Sequence, residues 1–174
     1  MRQLVYYISL TLDGFVAGPQ EEVDFFGGSD EYVQHMIGNY SDILPQRGRE
    51  KLGIGHAPLT RFDTIVMGRR TYDPALQMGI TSPYPHLRQI VFSRSLSSTD
   101  PEVLITDADP VSVIRALKSE DSPHDIYLAG GGQLAGALLS EIDEIIIKQY
   151  PVIIGSGIRP FGTVFTHQKV HDDQ

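Results

Sequence analysis

The chain contains no cysteine among its 174 residues. That absence removes disulfides, thiol nucleophiles and thiolate zinc ligands together, and it fits a reducing compartment. Positive charge is also scarce, since 14 Lys and Arg stand against 22 Asp and Glu for a formal net charge of −8. A surface of that sign repels phosphodiester backbones and excludes a general nucleic-acid binder. No run approaches the ~20 apolar residues of a membrane span. Arg2 followed by the apolar Leu4–Leu10 imitates the start of a secretory signal. The run stops at Thr11, however, and Asp13-Gly14 reads as a turn after a buried strand. We therefore expect a cytoplasmic protein without membrane contact. The six histidines give no metal site: His35 falls among polar neighbours on a helix, and His167 and His171 lie at the chain end. No Gly-x-Ser-x-Gly marks a nucleophile elbow.

What is present is ordinarily globular, with 41% hydrophobic and 21% charged residues, and the length suits one domain over residues 1–174. Apolar runs alternate with helical patterns along the chain. Leu4–Leu10, Thr64–Met67, Gln89–Phe92, Val103–Thr106, Asp125–Ala129, Glu144–Tyr150 and Val164–Val170 read as strands. A helix starts near Ser29 or Asp30, with Tyr32, Val33, Met36, Ile37 and Tyr40 on one face. Asp109-Pro110 caps another, and a further helix follows Gly132. Such alternation predicts an α/β fold with a mostly parallel, helix-flanked sheet. The last strands, with no helix between them, are expected as antiparallel additions at one edge. Ser41–Arg61 resists assignment and is expected to be a short helix or an ordered flap near a site.

The most informative stretch is Ile65-Val66-Met67-Gly68-Arg69-Arg70-Thr71-Tyr72, where an apolar strand gives way to a glycine, two arginines and a helix. Free helix N–H groups beside two guanidiniums suit a phosphate-bearing ligand. Ser93-Arg94-Ser95 and Gly130-Gly131-Gly132-Gln133-Leu134 follow two further strands. In a parallel sheet all three junctions fall on one rim, where ligands gather. Glycine permits close backbone approach, and arginine with serine can hold a terminal phosphate. The glycine run also fits a loose G-x-G-x-x-A pattern. It comes late in the chain, and the following strand ends without an acidic residue, so an ordinary Rossmann dehydrogenase is not expected.

Ser9 to Ala17 with Val23-Asp24-Phe25-Phe26, then Val66 to Tyr72, Ile90 to Arg94, Ala129 to Leu134 and Tyr150 to Gly157 with Pro160-Phe161, occur in an order that resembles dihydrofolate-reductase-like proteins. The chain is most similar to stand-alone relatives of the reductase domain of bifunctional riboflavin-biosynthesis deaminase-reductases. The resemblance covers nearly the whole chain and implies an NADPH-dependent reductase of that three-layer fold, acting on a small pterin-, pyrimidine- or flavin-like heterocycle. Its family default is reduction of a phosphoribosyl-aminouracil in riboflavin biosynthesis. It implies that Val16 and Ala17 border the nicotinamide, that Gly68, Arg69, Arg70 and Thr71 meet the pyrophosphate, and that Ser93, Arg94 and Ser95 meet the 2′-phosphate. Gly130, Gly131, Gly132, Gln133 and Leu134 would support the pyrophosphate from the other side, with a cis Gly-Gly bond. A homodimer through the C-terminal strands is also implied. The chain has no tryptophan to match the one beside the nicotinamide of true dihydrofolate reductases, so folate is not the expected substrate. Without cysteine there is no zinc deaminase motif. Asp13 and Asp24 are the acidic candidates for polarising the substrate, and Phe25 and Phe26 are candidate pocket walls. The alternative is a non-catalytic nucleotide-binding or regulatory module on the same fold.

Overall fold

The computed structural model describes residues 1–97, 99–163 and 169–171. Six strands form one sheet: β1 Leu4–Leu10, β2 Phe62–Gly68, β3 Arg88–Phe92, β4 Val103–Thr106, β5 Asp125–Gly130 and β6 Glu144–Gln149. Their order is β4-β3-β2-β5-β1-β6, and every pairing is parallel. Five helices accompany them: α1 Asp30–Asn39, α2 Gln46–Lys51, α3 Arg69–Gln77, α4 Pro110–Ser119 and α5 Gly132–Ala137.

Three layers follow from the near-continuous apolar strands, which need cover on both faces. On one face Leu4, Tyr6, Ile8, Val66, Ile90 and Leu128 pack with Ile114 and Leu117 of α4 and Leu134 and Ala135 of α5. On the other, Val5, Tyr7, Ile65, Met67, Val91 and Tyr127 pack with Met36 of α1 and Tyr72 of α3. Local chemistry starts the helices where expected. The Ser29 side chain accepts the Tyr32 N–H to open α1, and Asp109 accepts the Ser112 N–H before Pro110 in α4.

The edge differs from expectation. β6 runs parallel to β1, in register from Val5 opposite Glu144 to Leu10 opposite Gln149. The reason is α5, which lies between β5 and β6 in the chain and turns it back across one face, as a parallel crossover requires. Antiparallel pairing near the C-terminus is seen as an isolated bridge between Ala17 and Ile158. Most of the expected Val164–Val170 strand lies outside the described residues.

Ser41–Arg61 is ordered around two buried charges. A 3-10 turn over Ser41–Ile43 leads into α2. The fully buried Asp42 carboxylate accepts the amide N–H groups of Thr60, Arg61 and Phe62 and the Thr60 hydroxyl, at 2.7–3.2 Å. Fully buried Arg49 donates to the carbonyls of Ser41 and Ala57, each at 2.7 Å. Burial alone would raise the Asp42 pKa, but its amide and hydroxyl donors outweigh it and hold the carboxyl below its ordinary value.

A cleft across the carboxyl ends of the strands

The three glycine- or arginine-bearing corners meet in one cleft of about 1170 Å³. It runs across the carboxyl ends of β1, β2, β3 and β5, where parallel sheets collect ligands. Gly68 to Thr71, Ser93 to Ser95 and Gly130 to Leu134 all line it, as do Val16 and Ala17.

At one end glycine backbone from Gly68 and Gly130 to Gly132 contributes to the surface. Gly68 precedes α3 without a side-chain cap, and no acidic residue occupies the first turn. The first N–H groups of α3 are thus left for a ligand. Gly130-Gly131 is a cis peptide, as the resemblance implied. The glycine corner is closely packed: a Cβ on Gly68 would come within 3.4 Å of the Gly131 nitrogen, and one on Gly132 within 2.3 Å of the Arg159 carbonyl oxygen. Side chains there would fill a narrow cradle, which suits a pyrophosphate held by amides.

The arginines differ in their ties. Arg69 donates to the Ser95 hydroxyl at 2.6 Å and pairs with Asp73 at 3.4 Å. Arg70 reaches Glu21 at 3.6 Å. Arg94 makes no ion pair among the described residues. Asp107 and Asp109 share the same cleft wall, and the sequence reading missed both. Asp109 is occupied in capping α4, where the Ser112 hydroxyl and amide hold its pKa below the ordinary value.

The other end is made of side chains. Tyr7 from β1, Tyr32 and Met36 from α1, Tyr150 after β6, and Phe26 line it, with Ile43 and Leu44 as a further wall. Lys148 sits among the tyrosines. Its Nζ donates to the Tyr32 hydroxyl at 2.5 Å and lies 5.3, 4.8 and 5.7 Å from the ring centroids of Tyr7, Tyr32 and Tyr150. Burial pushes its pKa below the ordinary lysine value, with Tyr150 opposing. This residue was not among the sequence candidates.

Neither acidic candidate lines the cleft. Asp13 accepts the Gly155 N–H at 2.7 Å and the Ile154 N–H at 3.2 Å, so it holds the turn after Tyr150 in place. The Thr11 hydroxyl, and after it those two amides, keep its carboxyl below the usual range. Asp24 is an exposed turn residue. Of the two candidate wall residues, Phe26 faces the cleft and Phe25 packs on it, with ring centroids 4.7 Å apart.

Fold and cleft define a three-layer α/β protein with an extended ligand groove at the strand ends. The chain belongs to the family of the RibD C-terminal domain, whose model matches residues 2–172. It is similar to two Bacillus subtilis (strain 168) proteins, both carrying the designation uncharacterized. YwjB is 28% identical over 97% of this chain and 88% of its own length, and YyaP is 24% identical over 90% and 78%. Among solved structures it is similar to a Shewanella sp. PV-4 protein whose provisional name is riboflavin biosynthesis protein. That match has a TM-score of 0.65 at 21% identity and covers 95% of this chain and 86% of the other. A Thermotoga maritima diaminohydroxyphosphoribosylaminopyrimidine deaminase/5-amino-6-(5-phosphoribosylamino)uracil reductase matches with a TM-score of 0.63 at 16% identity. It is matched over 98% of this chain, which spans 51% of that protein. Both likenesses are of fold.

Proposed function

We propose that the protein is an NADPH-dependent reductase of a small pterin-, pyrimidine- or flavin-like heterocycle. The observation that carries this reading is the division of one cleft into a backbone cradle with arginines and an aromatic chamber. The first suits a phosphorylated dinucleotide, the second a flat ring. When bound, the dihydronicotinamide supplies the hydride. The amides at the start of α3 and the glycine corner bind the pyrophosphate, Arg94 with Ser93 and Ser95 holds the 2′-phosphate, and Val16 with Ala17 orients the nicotinamide. Tyr7, Tyr32, Tyr150 and Phe26 exclude water from the ring that is reduced.

Membership of the RibD C-terminal family and the resemblance of fold to a deaminase/reductase support reductase chemistry. A phosphoribosyl-aminouracil remains the family's default substrate, beside which unphosphorylated heterocycles are to be assayed. The test is anaerobic incubation with NADPH and a panel of oxidised pterins, pyrimidines and flavins, following loss of the dihydronicotinamide absorbance. Turnover of at least one compound is the expected result. Tight NADPH binding without turnover on any of them would instead make the chain a nucleotide-binding module.

Asp107 favours a second reading of the cofactor, because a carboxylate in that wall suits a free ribose hydroxyl better than a phosphate. Comparison of NADPH with NADH separates the two. Among the described residues no helix is long and apolar enough to cross a membrane, and our reading places the protein in the cytoplasm. We further propose a homodimer that uses the β6 side of the sheet, since β6 is the edge strand in the described order. Light scattering that gives a monomer mass at working concentration would remove it.

A further inference from the structure

We propose that Lys148, held among the rings of Tyr7, Tyr32 and Tyr150, donates the proton that the reduced heterocycle takes up. The inference deepens the reductase reading and rests on it for the electrons. It begins from an unmatched charge. Lys148 is half-buried on the cleft wall, yet it pairs with no carboxylate among the described residues. The groups facing it are the three tyrosines and Ser9, its register partner on β1. Half-buried ammonium groups ordinarily find an anionic partner. Here three electron-rich ring faces and one hydroxyl take that place, and they leave donor capacity for a ligand in the cleft.

Position and chemistry agree. The aromatic end accepts a flat ring, and the acids singled out in the sequence lie outside the cleft lining. Reduction of a ring C=N or C=O bond by a reduced nicotinamide dinucleotide delivers two electrons and one hydrogen to the carbon. The π pair moves onto the nitrogen or oxygen, and that atom needs a proton. Lys148 supplies it: one Nζ–H bond breaks and one N–H or O–H bond forms on the ring. The neutral amine is then reprotonated from water by way of the Tyr32 hydroxyl, 2.5 Å away.

Burial strengthens the case, because a lysine below its ordinary pKa of 10.5 releases a proton more readily near neutral pH. Burial holds the Tyr7 and Tyr32 hydroxyls well above their ordinary pKa, so both stay neutral across the working range. The donating form is the ammonium, so activity declines as pH rises through the lowered value, at a pH below 10.5.

The test uses wild type, Lys148→Met, Lys148→Arg and Tyr32→Phe, with calorimetric titration of NADP and of lumazine, a planar dione. Lys148→Met should bind lumazine about tenfold more weakly while keeping NADP affinity, which also shows that it is folded. Lys148→Arg should retain lumazine but lose turnover, because guanidinium holds its protons across this range. Turnover should be lost in Lys148→Met as in Lys148→Arg, and the alkaline limb of the wild-type kcat should shift in Tyr32→Phe. Unchanged lumazine affinity in Lys148→Met, or no binding of lumazine to the NADP-saturated wild type, overturns the proposal. Lysine-dependent lumazine binding in a protein that ignores NADP would leave the Lys148 contact standing and remove the reductase reading instead.

Discussion

At the arginine end of the cleft the surface comes from three strand-to-loop corners with closely packed glycine backbone among them, whereas at the tyrosine end it is side chains from β1, α1, β6 and the segment after it. The first surface is set by backbone geometry and tolerates little change of shape. The second is set by packing and can be altered one group at a time. The two ends should therefore respond differently to substitution, and a series of variants can sharpen or break that contrast.

The largest expected effect is at the wall behind the tyrosines. Asp42→Ala would leave the Thr60, Arg61 and Phe62 amides without their buried acceptor, at a cost of about 3 kcal/mol or more. The melting temperature should fall by roughly 6–12 °C. Nucleotide binding should persist wherever the variant is folded; its selective loss would break the division. Acid titration checks the same residue. The Asp42 pKa is lowered in the folded state, so its stabilisation is present above the unfolded value of about 3.8 and lost as pH falls through the folded one. The stability gap between wild type and Asp42→Ala should narrow over that acid range.

Gly132→Ala comes next. Its new Cβ would meet the Arg159 carbonyl at 2.3 Å and the Gly162 nitrogen at 3.1 Å, both main-chain atoms that give way poorly. We expect about 2–3 kcal/mol of destabilisation by overpacking, read as a lower urea midpoint, together with weaker NADP binding. Retention of full nucleotide affinity would show that the glycine corner is not a ligand cradle.

Arg94→Ala should weaken NADPH by about 1.5–2 kcal/mol, or 10- to 30-fold, and leave NADH nearly unchanged. Equal losses would pass the role of 2′-phosphate partner to another group and favour the reading built on Asp107. Glu21→Gln should do least. The Arg70–Glu21 contact is exposed and 3.6 Å long, so a stability change below about 0.5 kcal/mol is expected. A shift larger than that in a thermal melt would mean that the loop bearing Glu21 is fastened more firmly than its exposed contact implies.

The contrast also explains what could be read from the sequence. Gly68-Arg69-Arg70, Ser93-Arg94-Ser95 and Gly130-Gly131-Gly132 each announce themselves locally, as a strand stop followed by turn or helix chemistry. Parallel topology alone then brings them to one rim. The tyrosine end has no local signature. Tyr7 and Tyr32 read as members of an apolar strand and an apolar helix face, and Lys148 as a charge in an edge strand. Only the pairing of β6 with β1 sets Lys148 opposite Ser9 and beside Tyr7. The sequence pattern leads one to expect the late strands as antiparallel additions at the edge, whereas the crossover through the six-residue α5 sets β6 parallel to β1. Asp13 misled in the opposite sense. An aspartate before glycine fits either a turn or a catalytic acid, and its bonds to the Ile154 and Gly155 amides come from a segment over a hundred residues away.

The clamp formed by Asp42 and Arg49 has one more consequence. Because those buried charges fasten Ile43 and Leu44 from behind, that wall of the aromatic chamber is anchored without any help from a guest. On the proposed function, a wall set in advance would select guests by shape, and compounds larger than a single flat ring system should bind more weakly than small ones.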